Sequence, residues 1–336
     1  ALNAGKSVVT SNKELFCKHN HELEKAARKN NCGLFYEASC VGGVPVIRAL
    51  LDNLQGNKVL SMMGIINGTT NYILTKMTDE GASYEEVLKD AQKLGYAEAN
   101  PTADVEGYDA AYKLSILSSL AFHTKIPFGK IHREGITKIT PADIQYGKQL
   151  GYVLKLLAIG KNTEDGIEVR VHPTYIKKSH PLASVNDSYN AVYITGDCVE
   201  DVMLYGRGAG AMPTASAIVG DVIYCATHPT FRYSTFKNTA EADPAVKFMD
   251  NFKSAYYIRL DAHDKTGVLA KVSSIFSRHN ISVAQMIQED DGKEDGHVPL
   301  VFITHMTKEK SVMKAVDDIN ATSEIAEVVS VIRVVS

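Results

Sequence analysis

The residues between Ala91 and Lys113 hold the densest set of groups able to bind and transform a small polar molecule. The stretch reads AQKLGYAEANPTADVEGYDAAYK. Within it fall Tyr96, Glu98, Asp104, Glu106 and Asp109, and Lys113 closes the run. Carboxylates accept hydrogen bonds from ammonium and hydroxyl groups, and a lysine can stabilise or protonate an oxygen that gains negative charge. Asp109 and Lys113 stand at i and i+4, on one face of a helix. A carboxylate beside an ammonium keeps both charged and fixes the direction of the lysine. Such a pair alone is more often a solvated helix contact worth about 0.3–0.5 kcal/mol.

The surrounding pattern says how these groups are positioned. Gly95, Asn100-Pro101 and Gly107 are breaker positions, so Glu98 and its neighbours fall on a loop. From Val105 the apolar spacing becomes helical through Ala110, Leu114, Ile116, Leu117, Leu120 and Ala121. That helix is otherwise apolar, which predicts that its Asp109–Lys113 pair is partly buried. Upstream, residues 5–10 read as a short strand, Ser11-Asn12 as a cap, 13–29 as a helix and 34–37 as a strand, the rhythm of a parallel α/β sheet. Lys13 falls in the first turn of its helix, where the helix dipole disfavours a cation. Glu37–Pro45 (EASCVGGVP) sets a carboxylate at a strand end before a Gly-Gly turn able to aim carbonyls inward. Such oxygens suit a hard cation, although a plain strand-to-helix turn has the same composition. After a strand at 58–66, Asn67-Gly68-Thr69-Thr70 precedes a helix over 71–79. Backbone N–H groups and a hydroxyl there suit a carboxylate, although an ordinary N-cap uses the same residues. A further helix over 84–94 leads into the central stretch.

Beyond it come a helix over 141–150 and strands at 152–159, 167–172, 190–194 and 202–205, a mostly antiparallel α+β pattern. Gly206–Gly210 (GRGAG) precedes a helix-compatible run, 211–225. Its spacing is GxGxG, and no acidic residue follows a second strand, so it is not a dinucleotide fingerprint. Residues 229–254 read as a linker, with Pro229 and Pro244. The end of the chain repeats strand (256–261), helix (267–279), two strands (281–289 and 297–305), helix (308–319) and strand (325–335), which is the β-α-β-β-α-β order of a ferredoxin-like unit.

Composition narrows the function. The chain has 336 residues, 45% hydrophobic and 22% charged, with net charge −3. There is no large basic cluster to suit nucleic acid and no apolar run long enough to span a bilayer. Five scattered cysteines without a CxxC pair favour reduced thiols in a cytoplasm.

The pattern Ala-x3-Gly-Tyr-Ala-x3-Pro-x2-Asp-Val-x-Gly-x-Asp-x3-Lys resembles the signature of the homoserine dehydrogenases over its full spacing. The resemblance covers residues 1 to about 228. The piece DAHDKTGVLAKVSSIFSRHNIS resembles the opening of an ACT domain, a module that commonly binds amino acids. The resemblance implies a mixed α/β and α+β fold. Residues 1–36 would be the remnant of a Rossmann-type nucleotide domain, completed by about 206–228. Residues 37–205 would form a substrate and dimerisation domain, and 255–336 a ferredoxin-like ACT domain. The family's GxGxxG strand-turn-helix is absent, and the resemblance implies that about 90 residues, most of a nucleotide-binding half, are missing ahead of residue 1.

The implied reaction is hydride transfer between NAD or NADP and the substrate pair L-homoserine and L-aspartate 4-semialdehyde, in threonine, methionine and isoleucine biosynthesis. By the resemblance, Lys113, Lys13 and Asp109 are catalytic, and the sequence leaves open which lysine moves the proton. Glu98, Asp104, Tyr96, Gly68 and Thr69 bind substrate, and Lys13 and Gly210 border the cofactor. Sodium is held by the Glu37 side chain and the carbonyls of Cys40, Gly42 and Val44. Asp264 and Gly267 would meet an amino-acid effector such as L-threonine, in a homodimer or homotetramer. The alternative is an amino-acid sensor, or an inactive fragment, in which the dehydrogenase-like part is only a scaffold.

Overall fold

The computed structural model describes residues 1–228, 241–289, 296–322 and 326–335. In chain order the elements are β1 (Val8–Val9), α1 (Lys13–Lys29), β2 (Leu34–Phe35), α2 (Val46–Arg48), β3 (Val59–Ile65), α3 (Gly68–Glu80), α4 (Tyr84–Lys93), α5 (Thr102–Val105), α6 (Tyr108–Phe122), β4 (His132–Arg133) and α7 (Pro141–Gln149). There follow β5 (Tyr152–Thr163), β6 (Gly166–Lys177), β7 (Tyr189–Gly196), β8 (Glu200–Arg207), α8 (Ala211–Thr227), β9 (Lys253–His263), α9 (Val268–Arg278), β10 (Val283–Gln288), β11 (His297–Thr304), β12 (Thr307–Lys308), α10 (Glu309–Asn320) and β13 (Ala326–Val335). They divide into two packed units. The first comprises Ala1–Thr137, Leu156–His172 and Pro181–Met249, and the second Lys138–Lys155, Pro173–His180 and Asp250–Ser336.

In the first unit, β3 is flanked by β5 and β7 and β7 by β8, all antiparallel, with Met62 opposite Gly160 on one side and Ile194 on the other. α6 is apolar nearly all round, so it is enclosed: every residue from Asp109 to Phe122 except Tyr112 is buried. Its serines are satisfied locally, Ser119 donating to the Ser115 carbonyl at 2.6 Å and Ser115 to that of Ile126 at 2.6 Å. β1 and β2 pair in parallel, Val8 opposite Leu34, and α8 packs on β2, with the Phe35 and Tyr224 rings 5.8 Å apart.

Several local expectations need correction. The helix that carries Asp109 starts at Tyr108 rather than Val105. Residues 102–105 form a separate turn, and Gly107, at φ 76°, breaks the two apart. A methyl on Gly107 would meet Val171 Cγ1 at 3.2 Å. The strands at the start are only two residues long, and Glu37 opens a 3-10 turn rather than ending a strand. α3 begins three residues early because Asn67 caps it, accepting from the Thr70 amide at 2.9 Å. The described part of the expected linker is not a free tether. Ile167 donates its amide to the Lys247 carbonyl at 2.8 Å and Lys125 donates to that of Glu241 at 3.0 Å, while 229–240 lie outside the described residues.

In the second unit β10-β11-β9-β13 pair antiparallel, the arrangement of a ferredoxin-like unit, and the end of β6 adds to β13 in parallel, with Thr174 opposite Arg333. Its core joins Ile258, Leu260, Val272, Phe276, Phe302 and Val312 from the sheet, α9 and α10. This unit also takes in α7. The fully buried Asp143 accepts from Arg259 Nε at 2.8 Å and from the Tyr257 hydroxyl at 3.1 Å, so residues 138–155, expected in the substrate domain, group with the end of the chain. No helix among the described residues is long and apolar enough to cross a membrane.

Candidate active site

Three helix starts converge in the first unit. Asn12 caps α1 by accepting from the Leu15 amide at 3.0 Å, which sets Lys13 at the head of that helix. Asn67 caps α3, and Gly107 turns the chain into α6 so that Asp109 falls in its first turn. A carboxylate is favoured at a helix N-terminus, and two ammonium groups reach this one. Lys113 Nζ donates to Asp109 Oδ2 at 2.7 Å, and Lys13 Nζ stands 3.0 Å from Oδ1. Lys113 also donates to the Ile66 carbonyl at 2.8 Å. An ammonium has three N–H groups, so one remains for the cleft.

Asn67 ties this cluster to a second acid. Its Nδ2 donates to Asp109 Oδ2 at 2.9 Å and to Asp104 Oδ1 at 2.7 Å. Burial pushes the carboxyl of Asp109 upward, but Lys113 and Lys13 outweigh it and hold Asp109 at about 2. Burial works against the Lys13 ammonium, yet Asp109 raises its pKa. Asp104 is raised, first by burial and then by its neighbour Asp109, with Asn67 and Lys113 opposing.

These residues line one cleft of about 600 Å³. Lys13, Gly42, Gly68, Thr69, Tyr96, Glu98, Asp104, Asp109, Lys113 and Gly210, named from the sequence, all border it. Tyr96 stacks on Tyr72 with ring centroids 4.6 Å apart, and its carbonyl accepts from the Thr69 hydroxyl at 2.8 Å. Glu106 does not border the cleft; its carboxylate accepts instead from the Thr137 hydroxyl at 3.1 Å. One wall is built from small residues, Ala38, Gly42, Gly208, Ala209 and Gly210. A methyl on Gly42 would lie 2.4 Å from the Gly208 carbonyl oxygen, and one on Gly208 would lie 1.2 Å from Asn190 Oδ1.

Asn67 and Arg207 are among the cleft residues that the sequence does not single out. Asn67 reads in the sequence as a helix cap, which hides its second use. Arg207 sits inside GRGAG, a segment notable for its glycines. Arg207 Nη1 donates to the Ser188 hydroxyl at 3.1 Å, and its guanidinium lies 4.1 Å from the Tyr189 ring centre. No ion pair among the described residues uses it.

The Glu37 segment forms a buried loop beside the cleft. Glu37 Oε1 accepts from the Ile47 amide at 2.9 Å and Oε2 from that of Arg48 at 2.7 Å, so the carboxylate caps α2. Burial raises it to about 7. Val41 and Gly42 both adopt left-handed backbone, with φ 56° and 52°. For a β-branched residue that costs on the order of 1–3 kcal/mol, and such outliers cluster at functional sites. Burial pushes the Cys40 thiol up to about 12. The Val44 carbonyl accepts from the Val46 amide at 2.8 Å.

In the second unit, Gly267 starts α9 at φ 90° and Asp264 is exposed, its amide donating to the Gly296 carbonyl at 2.8 Å. All five cysteines stand as free thiols.

Comparison with known proteins finds relatives over the whole chain. The sequence model of the family described as Homoserine dehydrogenase matches residues 45–223, and that of the ACT domain matches 256–324. A homoserine dehydrogenase of Pseudomonas aeruginosa is 41% identical over 340 aligned residues, covering 99% of this chain and 78% of that protein. The crystal structure of a homoserine dehydrogenase from Thiobacillus denitrificans superposes with a TM-score of 0.93 at 41% identity, over 100% of this chain and 78% of that one. A hyperthermophilic archaeal homoserine dehydrogenase in complex with NADPH matches 70% of this chain and 68% of its own, at 30% identity and a TM-score of 0.61.

Proposed function

The chain belongs to the homoserine dehydrogenase family, and we propose that the Asp109-centred cleft is where it interconverts L-homoserine and L-aspartate 4-semialdehyde. The activity is that of an NAD(P)-dependent oxidoreductase of amino-acid biosynthesis. The observation that carries the assignment of the site is the pair of lysines held on one buried carboxylate.

The chemistry supplied by a bound nicotinamide is delivery or uptake of the hydride. The small residues at Gly42 and Gly208–Gly210 leave room for a planar ring, beside the larger Val41 and Arg207. The remaining work falls to side chains of this chain. In the reducing direction the aldehyde oxygen gains negative charge, and a fixed ammonium stabilises it without reorganisation. Lys113, with two N–H groups committed and one left, donates that hydrogen bond and then the proton. Lys13 adds a second positive charge from α1, on the cofactor side together with Gly210. Asp109 keeps both lysines charged and aimed.

The substrate is a zwitterion. Asp104 and Glu98 suit its ammonium, the amides of Gly68 and Thr69 at the start of α3 its carboxylate, and the Tyr96 hydroxyl gives one more hydrogen bond. The sodium reading also has support. A carboxylate has about four lone-pair sites, so Glu37 retains capacity beyond its two amide bonds, and the left-handed turn at Val41-Gly42 redirects the carbonyls of Cys40 and Gly42. The engaged Val44 carbonyl would use its second lone pair.

Residues 256–324 of the second unit form an ACT domain, which suits feedback by an amino acid such as L-threonine at Asp264 and Gly267. Free thiols suit a cytoplasmic enzyme. The exposed edge strand of the ACT sheet suits pairing of copies, as a homodimer or homotetramer. The alternative of a sensor on an inert scaffold is not favoured, since a scaffold has no use for two lysines gathered on one acid. Homoserine-dependent reduction of NAD or NADP by the purified protein tests the assignment, with the Lys113 variant as control.

A further inference from the structure

We propose that Asn67 is a positioning residue of this reaction, bracing the acid that holds the substrate to the acid that holds the lysines. The proposal rests on the dehydrogenase reading of the cleft. A side-chain amide nitrogen carries two N–H groups. Here one goes to Asp104 Oδ1 at 2.7 Å and the other to Asp109 Oδ2 at 2.9 Å. The opposite end of the same amide is fixed as well. Asn67 Oδ1 accepts from the Thr70 amide at 2.9 Å and from the Thr70 hydroxyl at 2.9 Å. That arrangement leaves no ambiguity between oxygen and nitrogen, because the amide oxygen faces only donors and the nitrogen only carboxylates.

The position demands more than a cap. Serine, threonine, aspartate and asparagine all serve as N-caps. Of these, only asparagine offers an acceptor to the helix and two donors to the acids. The acids need those donors. Asp104 and Asp109 approach one nitrogen from different elements, the α5 turn and α6, and as like charges they repel. The lysines do not serve both equally: Lys13 and Lys113 bond to Asp109 and not to Asp104. Asp104 is left with Asn67 and the more distant Lys113 charge, while Glu98 lines the same cleft. Asn67 is 5% exposed, so water does not replace it. Its amide therefore fixes the distance between the group that seats the substrate ammonium and the group that aims Lys113 at the reacting oxygen. A displacement of about 1 Å in such a constellation costs on the order of 100-fold in rate.

Two substitutions separate this role from capping. Asn67→Ser keeps an N-cap and removes both donors. Asn67→Asp keeps the acceptor facing Thr70 and places a third carboxylate against the other two. The measurements are the melting temperature, kcat and KM for L-homoserine, and L-homoserine affinity by calorimetry. The expected result for Asn67→Ser is a cooperative melting transition at a lower temperature than native, because two acids lose a donor that water does not replace, with kcat lowered and KM raised at a temperature where the variant is folded, each by about 10-fold or more. Asn67→Asp is expected to be worse in both constants; if repulsion unfolds it, the uncharged serine variant carries the test. Kinetic constants within about two-fold of native in the serine variant overturn the proposal, as does a change confined to kcat or to KM alone, because a brace acts on both acids. A native protein that neither binds nor oxidises homoserine overturns the functional reading and this proposal with it. A native protein that does both, matched by its serine variant, overturns this proposal alone.

Discussion

Lys13 and Asp109 come from the first and the sixth helix, and their charged atoms stand 3.0 Å apart. The contact joins a segment of parallel α/β character to the buried helix of the substrate region. It makes Asp109 a shared partner, because Lys113 holds its other oxygen at 2.7 Å. A single acid thereby sets the direction of two cations, and that relation organises the predictions below.

The two acids of the cleft should separate on a pH scale. Asp104 is raised above the ordinary aspartate value, mainly by burial, while Asp109 is held at about 2. As pH falls through the raised value, Asp104 takes up a proton first and loses its hold on the substrate ammonium, while Asp109 and both lysines stay charged. KM for homoserine should therefore rise on the acid side before kcat falls. An acid limb seen first in kcat would contradict this assignment. Asp104→Asn should raise KM at every pH and flatten the limb.

Arg207 is a guanidinium in a cleft whose lysines are both committed to Asp109. It is held by Ser188, whose backbone also lies against α3: a methyl on Gly68 would stand 2.9 Å from the Ser188 carbonyl oxygen. The arginine thus stands near the helix start assigned to the substrate carboxylate. A hydrogen bond to a charged group contributes about 1.5–3 kcal/mol, so Arg207→Ala should raise KM for homoserine roughly 10- to 100-fold with a smaller effect on kcat. An unchanged KM would remove Arg207 from substrate binding.

How much of this was legible depended on distance along the chain. The Asp109–Lys113 pair is a four-residue relation and is visible in the sequence, as are the alternating elements of the second unit. Lys13 came only from the family resemblance, since its partner lies in another helix. Asn67 was hidden for the same reason: NGTT reads as a cap, and its second pair of hydrogen bonds exists only where α3 meets α6 and the α5 turn. Gly107 is a loop signal in the sequence, yet the apolar period runs through it from Val105, which puts the expected helix start ahead of the observed one at Tyr108. The grouping of α7 with the last unit rests on Asp143 meeting Arg259, a long-range pair that local pattern does not encode.

The Glu37 loop gives a cation-dependent prediction. Its carboxyl is raised from 4.5 to about 7 by burial. The folded state thus holds the proton more tightly than the unfolded one, and without a cation stability declines as pH rises from 4.5 to about 7. Sodium bound to the ionised carboxylate offsets that loss. At pH 8 the melting temperature should be higher in sodium chloride than in tetramethylammonium chloride of equal ionic strength, and Glu37→Gln should abolish the difference. Equal melting temperatures for the native protein would contradict the site.

The small-residue wall should be intolerant of a single methyl. At Gly42 a Cβ would lie 2.4 Å from a backbone oxygen of Gly208, on a residue at φ 52°. Overpacking of this kind costs about 1–3 kcal/mol. Gly42→Ala should lower the melting temperature by several degrees and reduce turnover. A variant as stable and active as the native protein would show that the two loops yield without cost.

The most direct measurement is the initial rate of L-homoserine-dependent NADP or NAD reduction by the purified protein and by its Lys113→Ala variant, each first shown to be folded by its melting transition. The account predicts clear turnover in the native protein and a loss on the order of 10²–10⁴-fold in the variant, the usual contribution of a positioned proton donor. Turnover by the variant close to native would contradict it, because the ammonium fixed between Asp109 and the Ile66 carbonyl would then have no part in the reaction.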